Sequence, residues 1–378
     1  MKARGVHLQY RFDTIAQAGA AVHNPLFDLL QAVHEHGSIQ RAAASLGQSY
    51  RHVWGQLREW QDTIGEPLVH WTQGQPARLT AFAERLLWAE TQARVRLTPH
   101  IEALRAELSR VLTDALDGRQ QVLTLYASHD LALPALRDTA SSEEQLHIDL
   151  RFAGSIDALR ALAEGRCTVA GFHVPPLQDG AALFSASLKP LLKPGTHKLI
   201  GCSRRTQGLM VAAGNPLNIQ GLADVTALRA RFVWRQAGSA TRLLTQHLLA
   251  QAKLQEHQLL DAGTEDSHNA VATAVASGQA DAGIGLEAAA HAFGLGFVPL
   301  AQDEYFLVCM AHALEEPAVK ALRRTLELPQ WQQAVTALPG YALMEPGRVL
   351  SLTSALPWWH FRKPKVGKPA GKPTEKPA

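Results

Sequence analysis

Between Asn24 and Ile64 the apolar positions recur every three or four residues. "NPLFDLLQAVHEHGS" sets Leu26, Leu29, Leu30 and Val33 on one helical face, with Asn24 as cap and Pro25 at the first helical position. Gly37 ends that run. Ser38 caps a short helix, "IQRAAASL", and Gly47 breaks the chain before Ser49 caps the next run. Along that run Val53, Leu57, Trp60 and Ile64 are spaced to face inward, which leaves Tyr50, Arg51, His52, Gln56 and Arg58 outside. The pattern predicts helix, tight turn, helix. After Gly65, "EPLVHW" and "ARLT" read as two short strands around "TQGQP", the shape of a wing. Thr80 then caps a long amphipathic run through Leu86, Leu87, Val95, Leu97, Ile101, Leu104, Leu108, Val111 and Leu112. One small domain cannot bury so long an apolar stripe, so the pattern predicts pairing with a second subunit.

From Gln121 the period shortens. "VLTLYAS", "HIDLRFAGS", "TVAGFHV", "HKLIGCS", "GLMVAAGN", "RFVWRQ", "ADAGIGL" and "FVPLAQDEYFLVCM" read as strands separated by helical stretches, which predicts an α/β domain. Several strands run into a small hydroxyl residue that opens a helix: Ser128, Ser155, and the group Gly238, Ser239, Thr241 and Arg242, with Ser267 and His268 as a fourth instance. Free N–H groups at helix starts carry partial positive charge, so several such starts around one cleft would bind an anion. His129, His173 and His268 form a second set. No acidic residue or cysteine joins them at zinc-like spacing, which favours hydrogen bonding over metal ligation.

Composition adds bounds. At 378 residues, 46% hydrophobic and 19% charged, the chain is long enough for two or three folded domains. Cys167, Cys202 and Cys309 lie far apart, consistent with reduced thiols. The basic start "MKARGVHLQYRFDTIAQAGA" lacks the apolar run of a signal peptide, and no membrane-spanning run occurs, so a cytoplasmic protein is expected. The net charge of +3 is partly produced by "FRKPKVGKPAGKPTEKPA". The expected organisation is an extension over 1–21, a winged domain over 22–79, a linker or dimerisation helix over 80–118, an effector domain over 119–350 and a flexible basic tail over 351–378.

Ser38, Ala42, Ala43, Leu46, Gly47, Ser49-Tyr50 with Trp54, and Gly65-Glu66-Pro67-Leu68 followed by Leu79-Thr80 resemble the winged helix-turn-helix of molybdate-responsive transcriptional regulators, a relative of the LysR-type domain. The resemblance implies an all-α winged DNA-binding domain that inserts the start of its third helix into the major groove. Ser38, Gln40, Ser49, Tyr50, Arg51, Trp54, Arg58 and Arg78 are the residues expected to meet DNA. Residues 1 to 116 hold nearly equal numbers of acids and bases, so affinity rests on the placement of Arg51, Arg58 and Arg78 rather than on a broad basic field.

"YASHDLALPALRD", "FAGSIDALRALAEGRCTVAGFHV", "RTQGLMVAAGNPLNIQGLADV", "GSATRLL", "SHNAVATAVASGQADAGIGLEAAA", "GLGFVPLAQDEYFLV" and "LPGY" resemble the periplasmic-binding-protein-like, molybdate-binding-type domain of one-component regulators. That resemblance implies a type II, two-lobed α/β effector domain. The ligand residues expected are Ser128, His129, Ser155, Gly238, Ser239, Thr241, Arg242, Ser267, His268 and Tyr305, with no metal and no cofactor. Two departures stand out: the usual Gly-Ser-Gly-Thr-Arg has Ala240 at its third position, and the usual Glu-Arg-Tyr reads Asp303-Glu304-Tyr305. The function implied is a cytoplasmic regulator, dimeric or larger, binding operator DNA and a small anion. Molybdate or tungstate leads, with a small organic ligand as the alternative. An enzyme is not expected, since no Gly-x-Ser-x-Gly elbow appears, and a storage protein would not need the winged domain.

Overall fold

The computed structural model describes residues 24–71, 76–116, 121–175 and 181–359. The chain forms two compact units, Met1–Glu90 and Thr91–Ala378.

In the first unit, α1 (Pro25–His36), α2 (Ile39–Ser45) and α3 (Tyr50–Ile64) form the helical core, and β1 (Val69–His70) pairs antiparallel with β2 (Arg78–Leu79). The foreseen punctuation is in place. Asn24 accepts from the Leu26 N–H at 3.0 Å, and Ser38 and Ser49 accept from Arg41 and His52. Gly37, at φ +57, takes the left-handed conformation that closes α1. Leu26, Leu29, Leu30, Val33, Val53, Leu57 and Leu68 are buried in one cluster. Trp60 departs from expectation: it is 36% exposed. The start of the wing occupies that end of the core, where Leu68 is wholly buried and Gln61 Oε1 accepts from its N–H at 3.0 Å. The wing turn, 72–75, and the extension over 1–21 lie outside the described residues.

Helix α4 (Ala81–Leu116) contains Pro99 and leaves Leu97, Leu104 and Val111 exposed, at steps of seven residues. Ile101 and Leu108 stand between them, half-buried, which completes a heptad seam.

The second unit is built on one mixed sheet. Its first half holds β3 (Gln121–Ala127), α5 (Leu133–Glu143), β4 (Leu146–Phe152), α6 (Ser155–Ala163), β5 (Val169–Val174), α7 (Ala181–Leu188) and the long β6 (His197–Val211). Next come α8 (Leu222–Ala227), β7 (Arg231–Arg235), α9 (Ala240–Gln251), β8 (Leu260–Glu265), α10 (His268–Ala276), β9 (Ala282–Leu286), α11 (Glu287–Ala292) and the long β10 (Gly296–Met310). There follow α12 (Pro317–Glu327), α13 (Pro329–Thr336), β11 (Tyr341–Leu343), β12 (Val349–Leu350) and α14 (Leu352–Ala355).

Strand order β4-β3-β5-β10-β6-β9-β7-β8 reveals two lobes. β3 runs parallel to β4 and β5, and β7 runs parallel to β8 and β9. The antiparallel β6 and β10 belong to both groups. Residues 304–309 of β10 pair with β5 in one lobe, while residues 207–211 of β6 pair with β9 in the other. The two strands therefore cross between lobes near Arg205–Gln207 and Ala301–Asp303, and a register shift at Pro299/Ala301 marks the crossing.

The sequence pattern had divided β6 into "HKLIGCS" and "GLMVAAGN", because the polar "RRTQ" interrupts its apolar run. Those residues lie where β6 passes from one lobe to the other. The edge strand β8 was not foreseen: most of "LDAGTE" is exposed, so it lacks an apolar signature. The expected end of the effector domain at residue 350 is also corrected. Leu352 and Leu356 are buried with Phe172 and Phe184, and Trp358 and Trp359 pack on the same cluster, so the fold continues to Trp359. The remainder of the expected tail lies outside the described residues. All three cysteines are buried free thiols.

Candidate effector cleft and nucleic-acid interface

Tyr50, Arg51, His52 and Arg58 of α3 are exposed, as are Gln40 of α2 and Arg78 of β2. The Ser38 and Ser49 hydroxyls are engaged as helix caps. Trp54 lies between neighbours: its ring stacks on Tyr50 at 6.4 Å, meets Trp71 edge-on at 5.6 Å, and has the Arg58 guanidinium 5.9 Å from its centre. Trp71, 50% exposed just after β1, carries this aromatic strip from α3 to the wing and was not foreseen. The strip offers apolar edges beside a cation, a surface suited to sugars and thymine methyls next to phosphates.

In the second unit, charge concentrates where β6 and β10 cross between the lobes. Arg205 on β6 is completely buried. Its Nε and Nη2 donate to the two carboxylate oxygens of Asp303 on β10 at 2.8 and 3.2 Å, and its Nη1 donates to Asp130 Oδ2 at 2.6 Å and to the His129 carbonyl at 3.2 Å. Asp303 also receives Gln207 Nε2 and lies 2.6 Å from His173 Nδ1. Burial pushes the Asp303 carboxyl up, but Arg205 and His173 outweigh it and hold the group below the usual carboxylate range. Burial lowers the His173 pKa, so the ring is neutral, with the Nδ1 proton directed at the carboxylate. The Tyr341 hydroxyl donates to Asp130 at 3.1 Å, and Asp130 Oδ1 accepts from the Ala132 N–H at 2.8 Å. Thus Asp130, which would otherwise repel an anion, is fully occupied.

Arg235, the last residue of β7, is different. Only 5% exposed, it donates through Nη1 to the Glu265 carbonyl at 3.2 Å and makes no ion pair among the described residues. Its Nε has no partner. Burial is the main cause that lowers its pKa to about 10, which still leaves it charged at neutral pH. A desolvated, unpaired guanidinium is costly to keep unless something anionic meets it.

The buried polar atoms around the cleft repeat this pattern. Ser128 Oγ, Ser155 Oγ, Thr241 Oγ1, Gln207 Oε1 and His268 Nδ1 all lack hydrogen-bond partners. The two lobes meet here, because a Cβ on Gly154, before α6, would lie 2.9 Å from the carbonyl of Gly238, before α9. Gly238 itself is left-handed, at φ +82. The starts of α6 and α9 therefore adjoin, and Ala240 and Leu244 of α9 pack in the same cluster as Ala158 and Leu159 of α6. Burial, then the fields of Arg235 and Arg205, lower the His268 pKa well below the usual range, and burial takes His129 down to about 3. Both rings are neutral near pH 7. His129 stacks on Phe152 with ring centres 4.5 Å apart.

Several expected roles change. Ser128 does not open α5, which starts at Leu133 behind Ala132 with no side-chain cap, and Ser155 is the first residue of α6 behind Gly154 rather than its cap. The result is that both hydroxyls stay unpartnered. Ser239 and Ser267 do cap α9 and α10, and Ser239 also donates to the Gln236 carbonyl at 2.9 Å, which occupies its hydroxyl. Arg242 turns away from the anion role: it pairs with Glu256, with its guanidinium 3.8 Å from the centre of the Trp234 ring. Tyr305 is wholly buried and donates to the Ser128 carbonyl at 2.8 Å, so it braces the wall. Ala240 is wholly buried in the core cluster beside Leu244, so its methyl is taken up by packing. The arginine missing beside Tyr305 has a counterpart in Arg205, which faces Asp303 across the β6–β10 ladder. No group of three or more His, Cys, Asp or Glu fit to hold a metal occurs among the described residues.

The chain thus joins a helix-turn-helix unit with a short two-stranded wing to a two-lobed α/β unit. Residues 136–327 match the PBP superfamily domain, and residues 26–84 match the bacterial regulatory helix-turn-helix protein, lysR family. The uncharacterized protein YvgK of Bacillus subtilis (strain 168) is 29% identical over 236 residues, spanning 62% of this chain and 75% of that protein. An uncharacterized Clostridium pasteurianum protein from the 5′ region of a ferredoxin 2Fe-2S gene is 33% identical over 86 residues, 22% of this chain and 76% of its own length. Among solved structures, full-length BenM superposes with a TM-score of 0.41 at 16% identity, covering 82% of this chain and 96% of its own. Full-length CbnR in complex with its target DNA gives 0.37 at 17% identity, over 79% and 98%. The chain belongs to the PBP superfamily and carries over residues 26–84 a segment that matches the lysR-family helix-turn-helix.

Proposed function

We propose that this chain is a cytoplasmic, non-enzymatic transcriptional regulator that senses a small anion held between the lobes, with Arg235 as its charge partner. The observation that carries this reading is a buried guanidinium with an unpartnered Nε and no ion pair among the described residues. The free hydroxyls of Ser128, Ser155 and Thr241 and the adjoining starts of α6 and α9 supply further donors. Molybdate or tungstate, which carry only acceptor oxygens, fit that donor set, and the regulated genes would then serve molybdenum or tungsten enzymes. A second reading, a small organic anion that also donates a hydrogen bond, is favoured by Gln207 Oε1 and Asp266 Oδ1, buried acceptors left without partners.

Helix α4 pairs two copies through Leu97, Ile101, Leu104, Leu108 and Val111, and Tyr50, Arg51, Trp54, Arg58 and Arg78 read and grip the operator. Closure on the anion alters the operator affinity of the dimer, by about 1–3 kcal/mol for couplings of this kind. Footprinting of the promoter upstream of the gene tests the proposal. A protected site whose occupancy changes with added molybdate or tungstate is expected. No protected site with or without either anion would overturn it.

A further inference from the structure

We infer that Glu265 is a positioning residue that joins the ligand cleft to helix α4, gripping Arg96 with its carboxylate and Arg235 with its backbone carbonyl. The inference rests on the anion reading of Arg235. Arg96 donates through Nε to Glu265 Oε2 at 3.0 Å and through Nη2 to Oε1 at 2.5 Å, a two-pronged pair whose geometry fixes direction as well as distance. The Glu265 side chain is 7% exposed, so the pair is partly sheltered from water and from salt. On its other side the Glu265 carbonyl accepts from Arg235 Nη1 at 3.2 Å and from the Gln236 N–H at 3.0 Å. Glu265 also ends β8, two residues before Ser267 caps α10.

A second tie lies one turn earlier on α4. The side-chain amides of Gln92 and Gln279 donate to each other at 2.9 and 3.1 Å, and Gln279 follows α10. Both ties therefore fasten α4 to the lobe that holds β7, β8 and α10. An anion drawn to Arg235 Nε reorients a guanidinium already bonded to the Glu265 carbonyl. The carboxylate of the same residue then carries that displacement to Arg96. Helix α4 begins at Ala81, immediately after the wing strand β2, so a change in its seating reaches the segment next to the DNA-binding elements.

The test uses the full chain with Arg96→Ala, Arg96→Lys and Arg235→Gln, and sodium molybdate and sodium formate as probes. Calorimetry reads anion affinity, and amide hydrogen exchange over residues 91–101 reads the seating of α4. In the wild type the bound anion is expected to change exchange there by about 5-fold or more, the lower end of typical coupling. Arg96→Ala is expected to keep the anion affinity and lose that change, and Arg96→Lys, which keeps the charge but not the fork, to recover part of it. A full response in Arg96→Ala overturns the inference, as does a loss of anion affinity equal to that of Arg235→Gln. If neither anion binds the wild type, the anion reading falls first and the inference with it.

Discussion

Arg205 and Arg235 are both buried and both charged, yet their surroundings give them different work. Arg205 is saturated by Asp303, Asp130 and the His129 carbonyl, so it fastens the crossing of β6 and β10. Arg235 has one hydrogen bond to a carbonyl and a bare Nε, so it is available to a ligand. The histidines supply a pH dependence whose sign is fixed. Burial lowers the pKa of His129, His173 and His268, so the native state stays unprotonated while the unfolded chain takes up protons below about 6.5. Stability is therefore complete above that pH and falls on acidification, by about 1.4 kcal/mol per pH unit for each such histidine. Asp303, held below the usual carboxylate range, does not titrate in this window. Urea denaturation at about pH 7 and about pH 5.5 should show a lower midpoint in acid, with a smaller drop in His129→Phe. Equal midpoints at the two pH values would contradict it. The sequence indicated Ser128, Ser155 and Thr241 by their place after strands, but neither buried arginine, because Arg205 meets Asp303 across 98 positions and no local motif records that pairing. The available signal was a charge inside an apolar strand: "RRTQ" in β6 and "RFVWRQ" in β7.

At the scale of elements, legibility followed local chemistry. The caps of α1 to α3 and the burial of Leu26, Leu29, Leu30, Val33, Val53 and Leu57 were all readable, because each depends on neighbours within a turn or two. Trp60 was misplaced because its exposure depends on where the wing packs. Strand β8 was missed because an edge strand with exposed side chains has no apolar pattern. Helix α4 was legible in both length and stripe. Its exposed Leu97, Leu104 and Val111, with Ile101 and Leu108 between them, fit the heptad seam through which we propose that two copies pair. Leu104→Glu should convert a dimer to a monomer in sedimentation, with the fold of each unit retained by circular dichroism. A dimer that survives this change would move the interface elsewhere.

At the scale of the whole molecule, a modest net charge of +3 conceals two specialised surfaces. One is the exposed aromatic and cationic strip of Tyr50, Trp54, Arg58 and Trp71 on the winged unit. The other is an internal cleft in which Asp130, Asp303 and Glu265 are each matched by a guanidinium, while Arg235 Nε and Asp266 Oδ1 have no hydrogen-bond partner. Each unit matches a different family model, and the unpartnered Arg235 Nε is the ground of the anion reading we propose. The most direct test is a thermal-shift panel of molybdate, tungstate, sulfate, phosphate and formate on the wild type and on Arg235→Gln. An anion at 100 times its dissociation constant adds roughly 2.7 kcal/mol, or about 5–10 °C for a domain of this size. A selective rise in the wild type that disappears in Arg235→Gln is the predicted result. No rise with any anion, or an equal rise in both proteins, would contradict an anion site built on Arg235.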